Sequence, residues 1–144
     1  MKTGSKINVF LVDDDVFFLK SLEIEFLHHA DFSVKTFSTG ELCLQSLSEL
    51  PDVIVLDYYL NSIDKTAMNG IETLDKIKAS HPDIPVVMLS SQDKIDVAIS
   101  CMHHRAFDYV VKSETAFLRL QKNIAAFFHH EKIEKELNWY MARM

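Results

Sequence analysis

The chain has 144 residues, 48% of them hydrophobic, and a formal net charge of −6. That is enough apolar chain for one domain with a full core, and such a chain should fold rather than stay disordered. The negative charge argues against a general affinity for nucleic acid or anionic membrane surfaces, and no apolar stretch approaches the length of a membrane span.

Lys2 and Lys6 precede the apolar run Ile7–Val12, which is too short for a secretory signal and is followed at once by three aspartates. The run reads as a strand. Val16–His29 reads as a helix, with Leu19, Leu22, Phe26 and Leu27 on its apolar face. Phe32–Phe37 alternates as a second strand. Ser38-Thr39-Gly40-Glu41 is a capping-box signature opening a helix over Gly40–Leu50, which Pro51 ends. Val53–Leu56 is continuously apolar, as a strand buried on both faces should be.

The polar stretch Asn61–Asn69 comes next, then a helix over Gly70–Ser80 and a stop at His81-Pro82-Asp83. Pro85–Leu89 reads as strand four, Lys94–His104 as helix four and Phe107–Val111 as strand five. Helix five spans about Glu114 to His130 and can continue towards Leu137. Residues 1–130 thus form one domain, and 131–144 either a helical extension able to pair with another chain or the start of a linker, with Ile133, Leu137, Trp139 and Tyr140 as its apolar residues. Cys43 and Cys101 fall in helical segments outside any CxxC pair, as reduced thiols of a cytoplasmic protein would. The pairs His28-His29, His103-His104 and His129-His130 fall near predicted helix ends, where a positive charge is favoured. Neighbours on a helix diverge, so they do not chelate by themselves.

Strands alternating strictly with helices give an α/β fold: a doubly wound five-stranded parallel sheet, order 2-1-3-4-5, with five helices, in the flavodoxin-like manner. Strand one then lies beside strand three, about 4.8 Å away. The crevice at their carboxyl ends is the switch point where ligands bind. Asp13, Asp14 and Asp15 follow strand one, Asp57 follows strand three, Ser90 and Ser91 follow strand four, and Lys112 closes strand five. Singly, these are ordinary caps and surface residues, and Asp15 fits an N-cap. Jointly, they bring acids, hydroxyls and an amine to one edge. Crowded carboxylates raise one another's pKa unless a cation neutralises them. Lys112 supplies one charge, and an all-oxygen site suits Mg²⁺, or Mn²⁺ in its place. A carboxylate so placed can attack phosphorus and form an acyl phosphate.

Leu11-Val12-Asp13-Asp14-Asp15, Val53-Ile54-Val55-Leu56-Asp57, Val87-Met88-Leu89-Ser90-Ser91 and Ala106-Phe107-Asp108-Tyr109-Val110-Val111-Lys112 resemble the signature strands of two-component response-regulator receiver domains, a chemotaxis-regulator-like superfamily. The resemblance covers about residues 6–130. It implies that Asp57 is the phosphoacceptor, that Asp13, Asp14 and the backbone carbonyl of Tyr59 join it in holding Mg²⁺, and that Lys112 senses the phosphate. It further implies that Ser90 is the switch hydroxyl and Tyr109 the switch aromatic. The implied donor is a phosphohistidine on a sensor histidine kinase or a histidine phosphotransfer protein. The implied output is a downstream protein or a second copy meeting the face of helix four, strand five and helix five. The implied protein is a signalling phosphoacceptor rather than an enzyme, with no nucleic acid or membrane partner of its own.

Three departures stand out. Asn61 occupies a position where the family usually has proline, and Ser113 follows Lys112 where a proline with a cis bond is usual. The segment from Asp57 to Gly70 is longer than usual by roughly five residues, which a surface loop tolerates. Asn61–Asn69 reads either as an insertion that gates the site or meets a partner, or as a plain solvated loop. The peptide bond before Ser113 is either trans with a shifted loop or a strained cis bond. Competing readings are a receiver-like interaction module that is never phosphorylated, a phosphatase with an aspartate nucleophile, and a flavin carrier. The phosphatase generally needs a second acid two residues on, where Tyr59 stands. The flavin carrier needs a phosphate-cradling loop where Asp13–Asp15 would repel one.

Overall fold

A computed structural model describes residues 6–143. Lys2 and Met144 lie outside them. The five strands are β1 (Ile7–Val12), β2 (Phe32–Phe37), β3 (Val53–Asp57), β4 (Val86–Ser90) and β5 (Asp108–Val111). They form one parallel sheet in the order β2-β1-β3-β4-β5, as expected. The helices are α1 (Val16–Leu27), α2 (Gly40–Gln45), α3 (Gly70–Ser80), α4 (Ile95–His103) and α5 (Ala116–Ala142).

Period-two alternation along the strands divides the core between the two faces of the sheet. Val9, Leu11, Val53, Val55, Val87 and Leu89 pack under α1 and α5, against Leu22, Phe26, Leu120 and Ile124. Phe10, Val12, Ile54, Leu56, Val86 and Met88 pack under α2, α3 and α4, against Cys43, Leu74, Ile77 and Cys101. β3 is buried from end to end, which explains its unbroken apolar run. Burial also pushes the Cys43 thiol up to about 12 and the Cys101 thiol up to about 11, so both are inert, protonated core residues.

Several boundaries differ from the sequence reading. The second helix does not run to Leu50. It ends at Gln45 and tightens into a 3₁₀ turn over Leu47–Glu49, which buries Leu47. Leu50 then turns left-handed, φ 55°, and Pro51 after it disfavours a return to the right-handed helical region. Its cap is Thr39, which accepts from the Leu42 N–H at 3.1 Å, and no capping box forms there. Glu41 reaches away instead and accepts from the Met68 N–H at 3.0 Å. A reciprocal capping box does form at α3, between Asn69 and Glu72. α5 extends well past His130, so His129 and His130 sit mid-helix rather than near its end. Asp15 caps α1, accepting from the Phe17 and Phe18 N–H groups.

Candidate phosphoacceptor and metal site

The carboxyl ends of β1 and β3 carry the acids. Val12 pairs with Leu56 across these strands, so Asp13 and Asp57 emerge side by side. One carboxylate oxygen from each of Asp13, Asp14 and Asp57 lies within 4.8 Å of the others. Asp13 and Asp57 are each 2% exposed, so neither charge is relieved by water. β5 brings the amine: its pairing continues through the Lys112 N–H to the Ser90 carbonyl, 2.8 Å. The Lys112 Nζ then sits 2.7 Å from Asp13 Oδ2 and 3.4 Å from Asp57 Oδ1. Every peptide bond among the described residues is trans, the one joining Lys112 to Ser113 included.

Burial, and next the Asp13 charge, push the Asp57 carboxyl well above the usual carboxylate range, although Lys112 and the Tyr59 N–H pull the other way. Burial lowers the Lys112 ammonium, but the close contact with Asp13 and the charges of Asp57 and Asp13 outweigh it, and the net shift is upward. One lysine therefore leaves the three acids undercompensated. Asp13 Oδ2 is buried and has no hydrogen bond of normal geometry, only the ion pair with Lys112. The donor set is all oxygen, and it fits one hard divalent cation. The Tyr59 N–H donates to Asp57 Oδ1 at 3.3 Å, and the Tyr59 carbonyl accepts from the Ser62 hydroxyl at 3.4 Å.

Four partners of this site are not visible as such in the sequence. Ser62, from the Asn61–Asn69 stretch, donates its hydroxyl and its N–H to Asp14 Oδ2, at 2.5 and 3.0 Å. The Ile63 N–H adds a third bond to the same oxygen at 3.2 Å. The stretch is thus tied to Asp14 at one end and, through Met68, to Glu41 at the other. Phe18 lays its ring 4.9 Å from the Lys112 Nζ, a cation–π contact. Gln92 links Ser90 to Tyr109: its N–H donates to the Ser90 Oγ at 3.1 Å, and its carbonyl accepts from the Tyr109 hydroxyl. Ser90 is fully buried, whereas Ser91 is exposed and blocks nothing.

The sequence profile described as "Response regulator receiver domain" matches residues 9–125. The chain belongs to that family: it is a receiver domain of the two-component response-regulator kind. It is 42% identical over 111 residues to a protein-glutamate methylesterase/protein-glutamine glutaminase of Bacillus licheniformis, covering 74% of this chain and 29% of that protein. It is 31% identical over 114 residues to the regulatory protein LuxO of Vibrio vulnificus, covering 78% of this chain and 24% of LuxO. The chain therefore spans less than a third of these relatives. Among solved structures it resembles NtrX from Brucella abortus, with TM-score 0.77 and 25% identity over 92% of this chain and 29% of that one. It also resembles a CheX–CheY–BeF3–Mg complex from Borrelia burgdorferi, with TM-score 0.73 and 27% identity over 87% and 92% of the two chains. Receiver domains bind Mg²⁺ at an acidic cluster of this kind.

Proposed function

We propose that Asp57 takes the phosphoryl group, with Asp13, Asp14 and the Tyr59 carbonyl as the other protein ligands of a Mg²⁺ ion, or of Mn²⁺ in its place. The convergence of Asp13, Asp57 and Lys112 within 2.7 to 3.4 Å carries the reading. An Asp57 carboxylate oxygen attacks phosphorus, the oxygen–phosphorus bond forms, and the bond from phosphorus to the donor's imidazole nitrogen breaks, its electron pair leaving with the imidazole. When bound, Mg²⁺ supplies positive charge against the phosphoryl oxygens. Lys112 supplies a second positive charge on the β5 side and favours the ionised form of Asp57. Ser90 accepts from Gln92 and keeps its own hydroxyl proton free to donate to a phosphoryl oxygen. Incubating the chain with acetyl phosphate and Mg²⁺ should raise its intact mass by one phosphoryl group. An unchanged mass would favour an interaction module that is never phosphorylated.

The donor in this reading is a phosphohistidine on a sensor kinase or phosphotransfer protein in the cytoplasm. Phe17, three residues beyond Asp14, and Ile63, whose N–H donates to Asp14, are 87% and 79% exposed and offer such a protein an apolar rim. The output face is α4, β5 and α5. Ile95, Ile99 and Met102 form an exposed row at i, i+4 and i+7 along α4. No helix among the described residues is long and apolar enough to cross a membrane. The chain spans less than a third of its longer relatives, and in this reading it acts as a phosphoacceptor.

Two variants probe the supporting residues. Ser62→Ala removes the hydroxyl that orients Asp14, and Mg²⁺ affinity, read by calorimetric titration, should fall about ten-fold, as for other groups that position a metal ligand. Equal affinity would show that Asp14 is held by its own strand. Tyr109→Phe removes the hydroxyl on Gln92 and keeps the ring. Amide exchange across the 91–94 segment should quicken about five-fold, the effect of losing roughly 1 kcal/mol of hydrogen bonding.

A further inference from the structure

The core contacts of α5 stop at Phe128, yet the helix continues to Ala142. The part beyond His129 extends about 20 Å at 1.5 Å per residue, and apart from the partly buried Glu131 its described residues are exposed. Ile133, Leu137 and Tyr140 are all exposed there. With Ala126 and His130 they follow a strict 4-3-4-3 spacing, the a/d seam of a coiled coil. The seam lies on the side of α5 roughly opposite Leu120, Ile124 and Phe128, so a partner can lie along it without touching the sheet.

We infer that this seam pairs in parallel with the same seam of a second copy of the chain. A two-fold axis along the helices sets each seam residue against its own counterpart, and the 4-3-4-3 row is self-complementary in that arrangement. The flanking charges agree. In parallel register no two acids flank the seam together and Glu134 of one copy faces the polar His129 of the other, whereas an antiparallel pairing centred between Ile133 and Leu137 would set Glu134 against Glu134 and Glu136 against Glu136. The outer positions are already served within the helix: Lys135 pairs with Glu131 at 3.0 Å, and Arg143 covers the Trp139 ring at 4.3 Å. Ile133, Leu137 and Tyr140 leave the seam with apolar surface facing water, and Trp139 and Met141 beside it are exposed as well. The pairing is separate from the phosphoacceptor site and stands without it.

Sedimentation equilibrium of the full chain tests this. Wild type should self-associate, Leu137→Glu should weaken association by roughly ten-fold or more, and Lys132→Glu, outside the seam, should leave it unchanged. Leu137→Cys should oxidise to a disulfide-linked dimer while Lys132→Cys does not. The native thiols do not compete, since Cys43 and Cys101 are buried. A chain that stays monomeric, a Leu137→Glu variant that associates like wild type, or equal cross-linking of the two cysteine variants would overturn the pairing.

Discussion

Asp57→Asn should take up no phosphoryl group from acetyl phosphate, while wild type under the same conditions gains one. An amide nitrogen and a neutral carbonyl oxygen replace the carboxylate nucleophile, and Asp13, hydrogen-bonded to the Asp15 N–H at 2.9 Å and paired with Lys112, is not placed to substitute. Phosphorylation of the variant to the wild-type level would move the acceptor elsewhere. The same change should stabilise the metal-free fold by about 2 kcal/mol near neutral pH, because it relieves an undercompensated buried charge. The sign follows from proton linkage. The folded-state pKa of Asp57 lies above its unfolded value of about 3.9. The unfolded chain therefore releases this proton first, and stability falls as pH rises from that value towards the raised native one. Thermal melts of both proteins across this range, without divalent ions, should converge at the acid end and separate towards neutrality.

Gly70→Ala should cost about 3 kcal/mol, the upper end of what overpacking a close-fitted site costs. A Cβ at Gly70 would come within 2.4 Å of the Asp57 carbonyl oxygen and 2.7 Å of the Tyr58 Cα. These are backbone atoms that cannot swing aside. The Gly70 N–H also donates to the Tyr58 carbonyl at 3.0 Å, so the first turn of α3 is pressed against the end of β3. Relief can come only by shifting the residue that carries the proposed acceptor. Chemical denaturation should therefore show the loss of stability together with slower phosphoryl uptake. A variant as stable as wild type would show that α3 is free to move away from β3.

The sheet was legible because its cause is local. β-branched runs separated by helical periods admit few parallel topologies, and a strand buried on both faces cannot hide its unbroken apolar run. The acids and Lys112 were legible because each stands next to a strand end in the sequence. The missing partners come from contacts distant in sequence. Ser62 meets Asp14 across 48 positions, and nothing in Asn-Ser-Ile-Asp marks that hydroxyl. Phe18 reads as one more apolar residue of α1 until Lys112 arrives over its ring. Gln92 is an unremarkable loop residue whose backbone, not its side chain, does the linking. The break after Gln45 depends on Leu47 reaching the core, a tertiary pull that local capping signals do not report.

The Gln92 link has a mechanical meaning. One residue serves as a strap with a buckle at each end, the N–H fastened to Ser90 and the carbonyl to Tyr109. Undoing either buckle slackens the same strip of backbone, so lesions at the serine and at the tyrosine should look alike at the α4 surface, and repairing one should not rescue loss of the other.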